Sequence, residues 1–155
     1  MHAGEVSLGE ISPIGPHQLF REGPILMFRH HGNFMLAEAT LATALYSKII
    51  ADHGYLLLLL DFTHSGDVDP KTRRHLVDWG KAHAERTCIA VFGSNLVFRT
   101  TFTLIVNAIR LIGSTPLRAK ACSEPHEALA WLKDCEAGFQ QRALGRRLIP
   151  TGAAD

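Results

Sequence analysis

Apolar positions along this chain alternate between unbroken runs and helical stripes, in an order that predicts an α/β sheet. The longest run, Tyr55 to Leu60, continues through Asp61-Phe62 and then turns polar from Thr63 to Asp69. An uninterrupted apolar run suits a strand covered on both faces, as in the middle of a parallel sheet. Ahead of it, His17–Arg21 and Ile25–His30 flank Glu22-Gly23-Pro24 and read as two strands joined by a tight turn. His31-Gly32-Asn33 ends the second strand, and Asn33 is placed to cap a helix from Phe34 to His53. Leu41, Leu45 and Ile49 supply that helix's apolar spacing, and Gly54 its left-handed stop.

Asp69 followed by Pro70 is a strong helix start, a carboxylate cap before a proline already fixed at the helical φ. The helix it opens, 70–84, carries Lys71, Arg73, Arg74, Asp78 and Lys81. Only a narrow stripe through Leu76, Trp79 and Gly80 is left to pack, which puts this helix on the surface. Cys88–Phe92 reads as a strand, Gly93-Ser94-Asn95 as a turn, Leu96–Ile112 as a third helix closed by Gly113, and Leu117–Cys122 as a last strand. Glu124-Pro125 opens a short helix with Ala128, Trp131 and Leu132 facing inward. The order of two strands and then alternating helix and strand predicts a single α/β domain with a mixed sheet over 17–137. Residues 1–16, with Pro13, Gly15 and Pro16, are expected to be an unstructured lead-in. Residues 138–155, with Arg142, Arg146 and Arg147, are expected to be a flexible tail.

The third helix departs from a simple one-faced pattern. Projected at roughly 100° per residue, Phe98, Thr101, Phe102, Ile105, Ala108, Ile109 and Ile112 form a core face, but Val97, Leu104 and Leu111 extend the apolar arc to about 220°. Either neighbouring helices cover the extra stripe, or it is a patch for a second subunit, a lipid-like ligand or a protein partner.

Sixteen basic and fifteen acidic side chains in 155 residues leave a formal net charge of +1, so no overall field draws the chain to nucleic acid or an anionic membrane. The three cysteines are too few for a disulfide scaffold, and Cys88 and Cys122 read as small buried hydrophobes, which fits a reducing cytoplasm. The first ten residues lack a basic leader and an apolar stretch, and no window is apolar for long enough to predict a spanning helix. The nine histidines include no His-x-x-x-His and no Cys-x-x-Cys accompanies them. They are read as scattered non-ligands, and neither metal nor cofactor is expected.

The order of elements and several local strings resemble the SpoIIAA-like family, often labelled STAS/SEC14 domain proteins and related in fold to bacterial anti-sigma factor antagonists. The strings are Gly32-Asn33-Phe34-Met35-Leu36-Ala37-Glu38-Ala39, His53-Gly54, Asp61-Phe62-Thr63, Asp69-Pro70, Ala90-Val91-Phe92-Gly93-Ser94, Arg99, and Glu127-Ala128-Leu129-Ala130-Trp131-Leu132. They extend the likeness over residues 17–133. The resemblance implies a non-catalytic module that binds another protein and is released by phosphorylation of a serine at the start of the second helix. Pro70 stands at that position and has no hydroxyl, so the fold and a binding role are implied without that switch.

Candidate site residues follow from the strand ends. Thr63, His64, Ser65, Gly66 and Asp69 lie before the second helix, where unpaired N–H groups hold anions or where Thr63 or Ser65 would be modified; the alternative is that they satisfy turn hydrogen bonds. Ser94 and Asn95 sit at a strand-to-helix turn and read as helix caps, since Gly93-Ser94 lacks the Gly-x-Ser-x-Gly of a nucleophile elbow. Arg99 is one turn further on, within reach of an anion at the sheet edge. The expected function is a non-enzymatic interaction module docking a protein through this edge, as a monomer or homodimer. The alternative is a carrier of a lipid-like molecule between helices near Phe34, Met35, Val97, Leu104 and Leu111.

Overall fold

The computed structural model describes residues 8–93, 96–112 and 117–148. Ser94, Asn95 and Gly113, and the side chains of Phe98, Ile112, Arg146 and Arg147, lie outside the described residues. Six strands stand side by side in chain order: β1 (Gly9–Ile14), β2 (His17–Glu22), β3 (Ile25–Phe34), β4 (Leu56–Val68), β5 (Thr87–Phe92) and β6 (Arg118–Ala121). The first three pair antiparallel, and β3 to β6 run parallel. Parallel neighbours need crossovers, which are supplied by α1 (Leu36–His53), α2 (Pro70–His83, continued by a 3-10 turn at Ala84–Arg86) and α3 (Leu96–Ile112). A fourth helix, α4 (Pro125–Leu148), follows β6.

The leucine run of β4 shows why both faces had to be apolar. Leu56, Leu58, Leu60 and Phe62 point into a core shared with Leu19, Leu26 and Phe28 of the sheet and with α1, against which Leu76 and Trp79 of α2 and Phe102 of α3 pack. Leu57 and Leu59 point the other way, against Cys88, Ala90 and the Ala128, Leu132 and Cys135 face of α4. Ile109 and Leu117 close the region under α3. Gly80 permits the close approach of α2 to α3, because a Cβ there would collide with the side chain of Ile109.

Four expectations are corrected. The lead-in includes a strand: β1 pairs with β2 despite Pro13, with an irregularity between Ile11 and Ile14 and a turn at Gly15, whose φ is +54. An edge position tolerates both the proline and the sparse apolar content. The polar segment after Phe62 is not a loop, since β4 runs to Val68 beside β3, with His31 level with His64 and Phe34 level with Val68. α1 begins later than expected, at Leu36. Glu38 rather than Asn33 serves its first turn, accepting from the backbone N–H of Met35 at 3.1 Å, while Leu41 faces solvent and the buried face is Ala39, Ala42, Thr43, Tyr46, Ile49 and Ile50. Finally, α4 is long. Gly138 lies beside Arg118 without ending the helix, and good helix formers carry it through part of the expected tail.

Candidate functional site

The carboxyl ends of β3 and β4 meet the first turns of α1, α2 and α3 at one end of the sheet. An open groove of about 450 Å³ lies there, lined by Asn33, Met35, Asp67, Val68, Asp69, Pro70, Arg73 and Thr101. Asp69 caps α2 as its sequence predicts, its Oδ1 accepting from the N–H of Thr72 at 2.8 Å. That hydrogen bond holds the carboxyl of Asp69 below its ordinary pKa. A carboxylate already seated on the helix N-terminus, with Pro70 removing a donor, disfavours an anion at the same place.

The remaining candidates are consumed internally or fall elsewhere. Ser65 is buried, and its hydroxyl donates to the carbonyl of Phe62 at 2.8 Å. Gly66 leaves no room for a side chain, because a Cβ would lie 2.5 Å from Asn33 Oδ1. That same oxygen accepts from the N–H of Asp67 at 2.9 Å, which is where the amide expected to cap α1 is used. His64 is exposed and stacks on His31 with ring centroids 5.6 Å apart. Arg99 is exposed on α3 and does not line the groove. Among the described residues of the expected docking edge, Thr63, His64, Ser65, Gly66, Asp69 and Arg99, the groove gathers Asp69, and Met35 from the carrier reading joins it there.

Thr63 belongs to a polar cluster on the α4 side of the sheet. Its hydroxyl and N–H both reach Asp61 Oδ1, at 2.6 and 3.0 Å, and Asp61 Oδ2 takes the Nε of Arg29 at 3.2 Å. Arg29 also donates to Gln18 Oε1 at 3.3 Å and lies over the ring of Phe20. Asp61 is largely buried, and these partners satisfy it, as a buried carboxylate requires. Gly93, at φ +118, allows the end of β5 to close over this point, where a Cβ would lie 2.7 Å from the Thr63 nitrogen.

A second polar assembly, missed from the sequence, lies inside the aromatic core. His17 is fully buried at the start of β2, its Nδ1 accepting from the backbone N–H of His31 at 3.0 Å and its Nε2 lying 3.1 Å from Glu38 Oε2. An accepting Nδ1 fixes the neutral tautomer with its proton on Nε2. Burial lowers the pKa of His17, with Glu38 opposing the shift. His30, packed among the rings of His17, Phe28, Phe34 and Phe62, is driven well below its ordinary value by burial, with the neighbouring histidines adding to the effect. A sequence signal existed: His17 and His30 share the inward period of their strands with Leu19, Leu26 and Phe28.

His30 borders an apolar cavity of about 70 Å³ between the sheet and α1 to α3, lined also by Tyr46, Phe62, Trp79 and Phe102. The stripe on α3 is uncovered. Val97 is 59%, Leu104 55% and Leu111 86% exposed, joined by Leu96 at 74%. No group of three or more metal-ligating side chains occurs among the described residues, and no helix among them is long and apolar enough to cross a membrane.

A sheet in sequential order, antiparallel at its start and parallel beyond, with three crossover helices on one face and a last helix on the other, defines a STAS-like α/β fold. Solved structures place it more closely, as the SpoIIAA-like fold. The chain is similar to an uncharacterized DUF3478-family protein with a SpoIIAA-like fold from Shewanella loihica PV-4 (16% identity, 84% of this chain and 98% of that one, TM-score 0.52). It is also similar to the unphosphorylated form of the anti-sigma factor antagonist SpoIIAA (13% identity, 76% and 97%, TM-score 0.54). A third similar structure is an anti-sigma factor antagonist from Mycobacterium paratuberculosis (11% identity, 76% and 92%, TM-score 0.51). No family model and no curated protein matches the sequence.

Proposed function

We propose that this protein is a non-enzymatic regulatory module that works by docking another protein, as the anti-sigma factor antagonists similar to it in fold suggest. The observation that carries the reading is the row of large apolar side chains left in solvent on α3, whereas Asn33 and Asp69 in the groove are already held by their own neighbours. Isolated exposed leucines are ordinary, but a row repeated along one helix face marks an interaction surface. The free, buried thiols of Cys88, Cys122 and Cys135 fit work in a reducing cytoplasm, with burial and Cys135 pushing the Cys88 thiol up to about 12. The test is affinity capture with wild type, Leu104→Asp and Leu41→Asp. A partner lost only with Leu104→Asp supports docking through α3, and one retained by both variants refutes it.

The second reading, a carrier of a lipid-like molecule, rests on the apolar cavity beside His30. At about 70 Å³ it is roughly half the size of the roughly 150 Å³ cavity that accepts benzene, so an acyl chain would require α2 and α3 to part. Native mass spectrometry of the purified protein separates the two, since a co-purified lipid mass would favour the carrier.

A further inference from the structure

We infer that the partner surface is an acidic amphipathic helix lying along α3, an inference that rests on the docking role proposed above. Val97, Leu104 and Leu111 recur every seven residues, the spacing that keeps one row of side chains facing a second helix, with Thr100 and Asn107 between them. The seam spans about 21 Å, or four helical turns. Thr100 and Thr103 beside it turn their hydroxyls back onto the carbonyls of Leu96 and Arg99, at 3.0 and 2.9 Å, so their methyl groups widen the apolar strip.

The charge on this helix selects the partner. Residues 96–112 include Arg99 and Arg110 and no aspartate or glutamate. Arg110 is held in place by two bonds to the carbonyl of Leu117, at 3.2 and 3.1 Å. Flanking carboxylates on the incoming helix would complement both guanidinium groups, steering encounter and setting orientation. A second copy of the chain fits poorly. Antiparallel packing centred on Leu104 would bring Arg99 of each copy beside Arg110 of the other, and parallel packing would set each arginine level with its twin. A lipid surface fits poorly too, because exposed Asn107 interrupts the seam between Leu104 and Leu111 and two cations are few for an interfacial helix.

Two synthetic helical peptides of about 21 residues test this, each with leucine at every a and d position and flanked by glutamate in one and lysine in the other. Like-charged flanks keep either from pairing with itself. With the full chain, fluorescence anisotropy is expected to show the glutamate peptide binding about tenfold or more tighter than the lysine peptide. Arg99→Glu should erase most of that preference, and Leu104→Asp should abolish binding of both. Equal affinity for the two peptides overturns the inference. So does a Leu104-dependent dimer by sedimentation at peptide-free conditions, or Leu104-dependent binding to phosphatidylserine vesicles. Failure of both peptides while cellular capture stays Leu104-dependent overturns this inference and leaves the docking role standing, whereas Leu104-independent capture removes the docking role itself.

Discussion

Acidification should destabilise this protein through its two buried imidazoles. His17 and His30 are 0% and 3% exposed, and both are held neutral because burial penalises their charged forms. Their folded pKa values lie below the ordinary 6.5, so the unfolded chain takes up protons first as pH falls. Stability from this source is complete above pH 6.5 and declines below it. A histidine that stayed wholly neutral in the fold would lose at most about 2 kcal/mol of stabilisation between pH 7 and pH 5. His30, deep among aromatic rings and driven further down than His17, should give the larger share. His17 should give less, because Glu38 favours its charged form; against that, protonation would cost the hydrogen bond that Nδ1 accepts from His31. Together they predict a loss of about 2–4 kcal/mol, a large share of an ordinary domain's stability. Urea unfolding at pH 7, 6 and 5 reads the slope directly, and His30→Leu should remove more than half of it whatever it does to the baseline. A stability that is flat from pH 7 to pH 5, or a slope unchanged in His30→Leu, would refute the assignment.

Other outcomes follow from close contacts. Gly80→Ala should destabilise by about 1–3 kcal/mol in thermal melts, because the clash with Ile109 outweighs the better helix propensity of alanine. Asp61→Ala should cost about 1–3 kcal/mol in urea titrations by leaving the Nε of Arg29 and the Thr63 amide without their acceptor. Ser65→Asp should fail to give a folded chain by circular dichroism, whereas Thr63→Asp, on an exposed position, should fold. Leu104→Asp should change stability by no more than about 0.5 kcal/mol in the same titrations, which confines its effect to binding.

The framework was legible wherever one physical signal dominated. The leucine run, the Asp69-Pro70 start, the Gly54 stop and the third helix all appear where their patterns put them, because each is decided by local chemistry or by a strong period. The errors fall where tertiary partners decide. β1 is a strand because β2 offers it a ladder, and β4 runs past Phe62 because β3 stays alongside it. The last turns of α4 lack an apolar face, so nothing in their periodicity announced a helix. The candidate site was less legible than the fold. Polar residues near a strand end read alike whether they await a ligand or are bound to one another, and here Thr63, Ser65 and Asp69 are bound to their neighbours. The wide arc of α3 was visible in the sequence, but whether anything covered it depended on how the helices pack.

Both margins of the sheet are built to refuse another strand. β6 is only four residues long and places exposed Arg118 and Lys120 on its rim, while β1 carries Pro13 and an irregular register. Short length, cations, proline and local distortion each discourage backbone pairing between molecules. Docking of the kind proposed above would therefore be read out through side chains on its helices. It should stay in solution as a discrete particle at concentrations where a bare sheet margin would seed fibres.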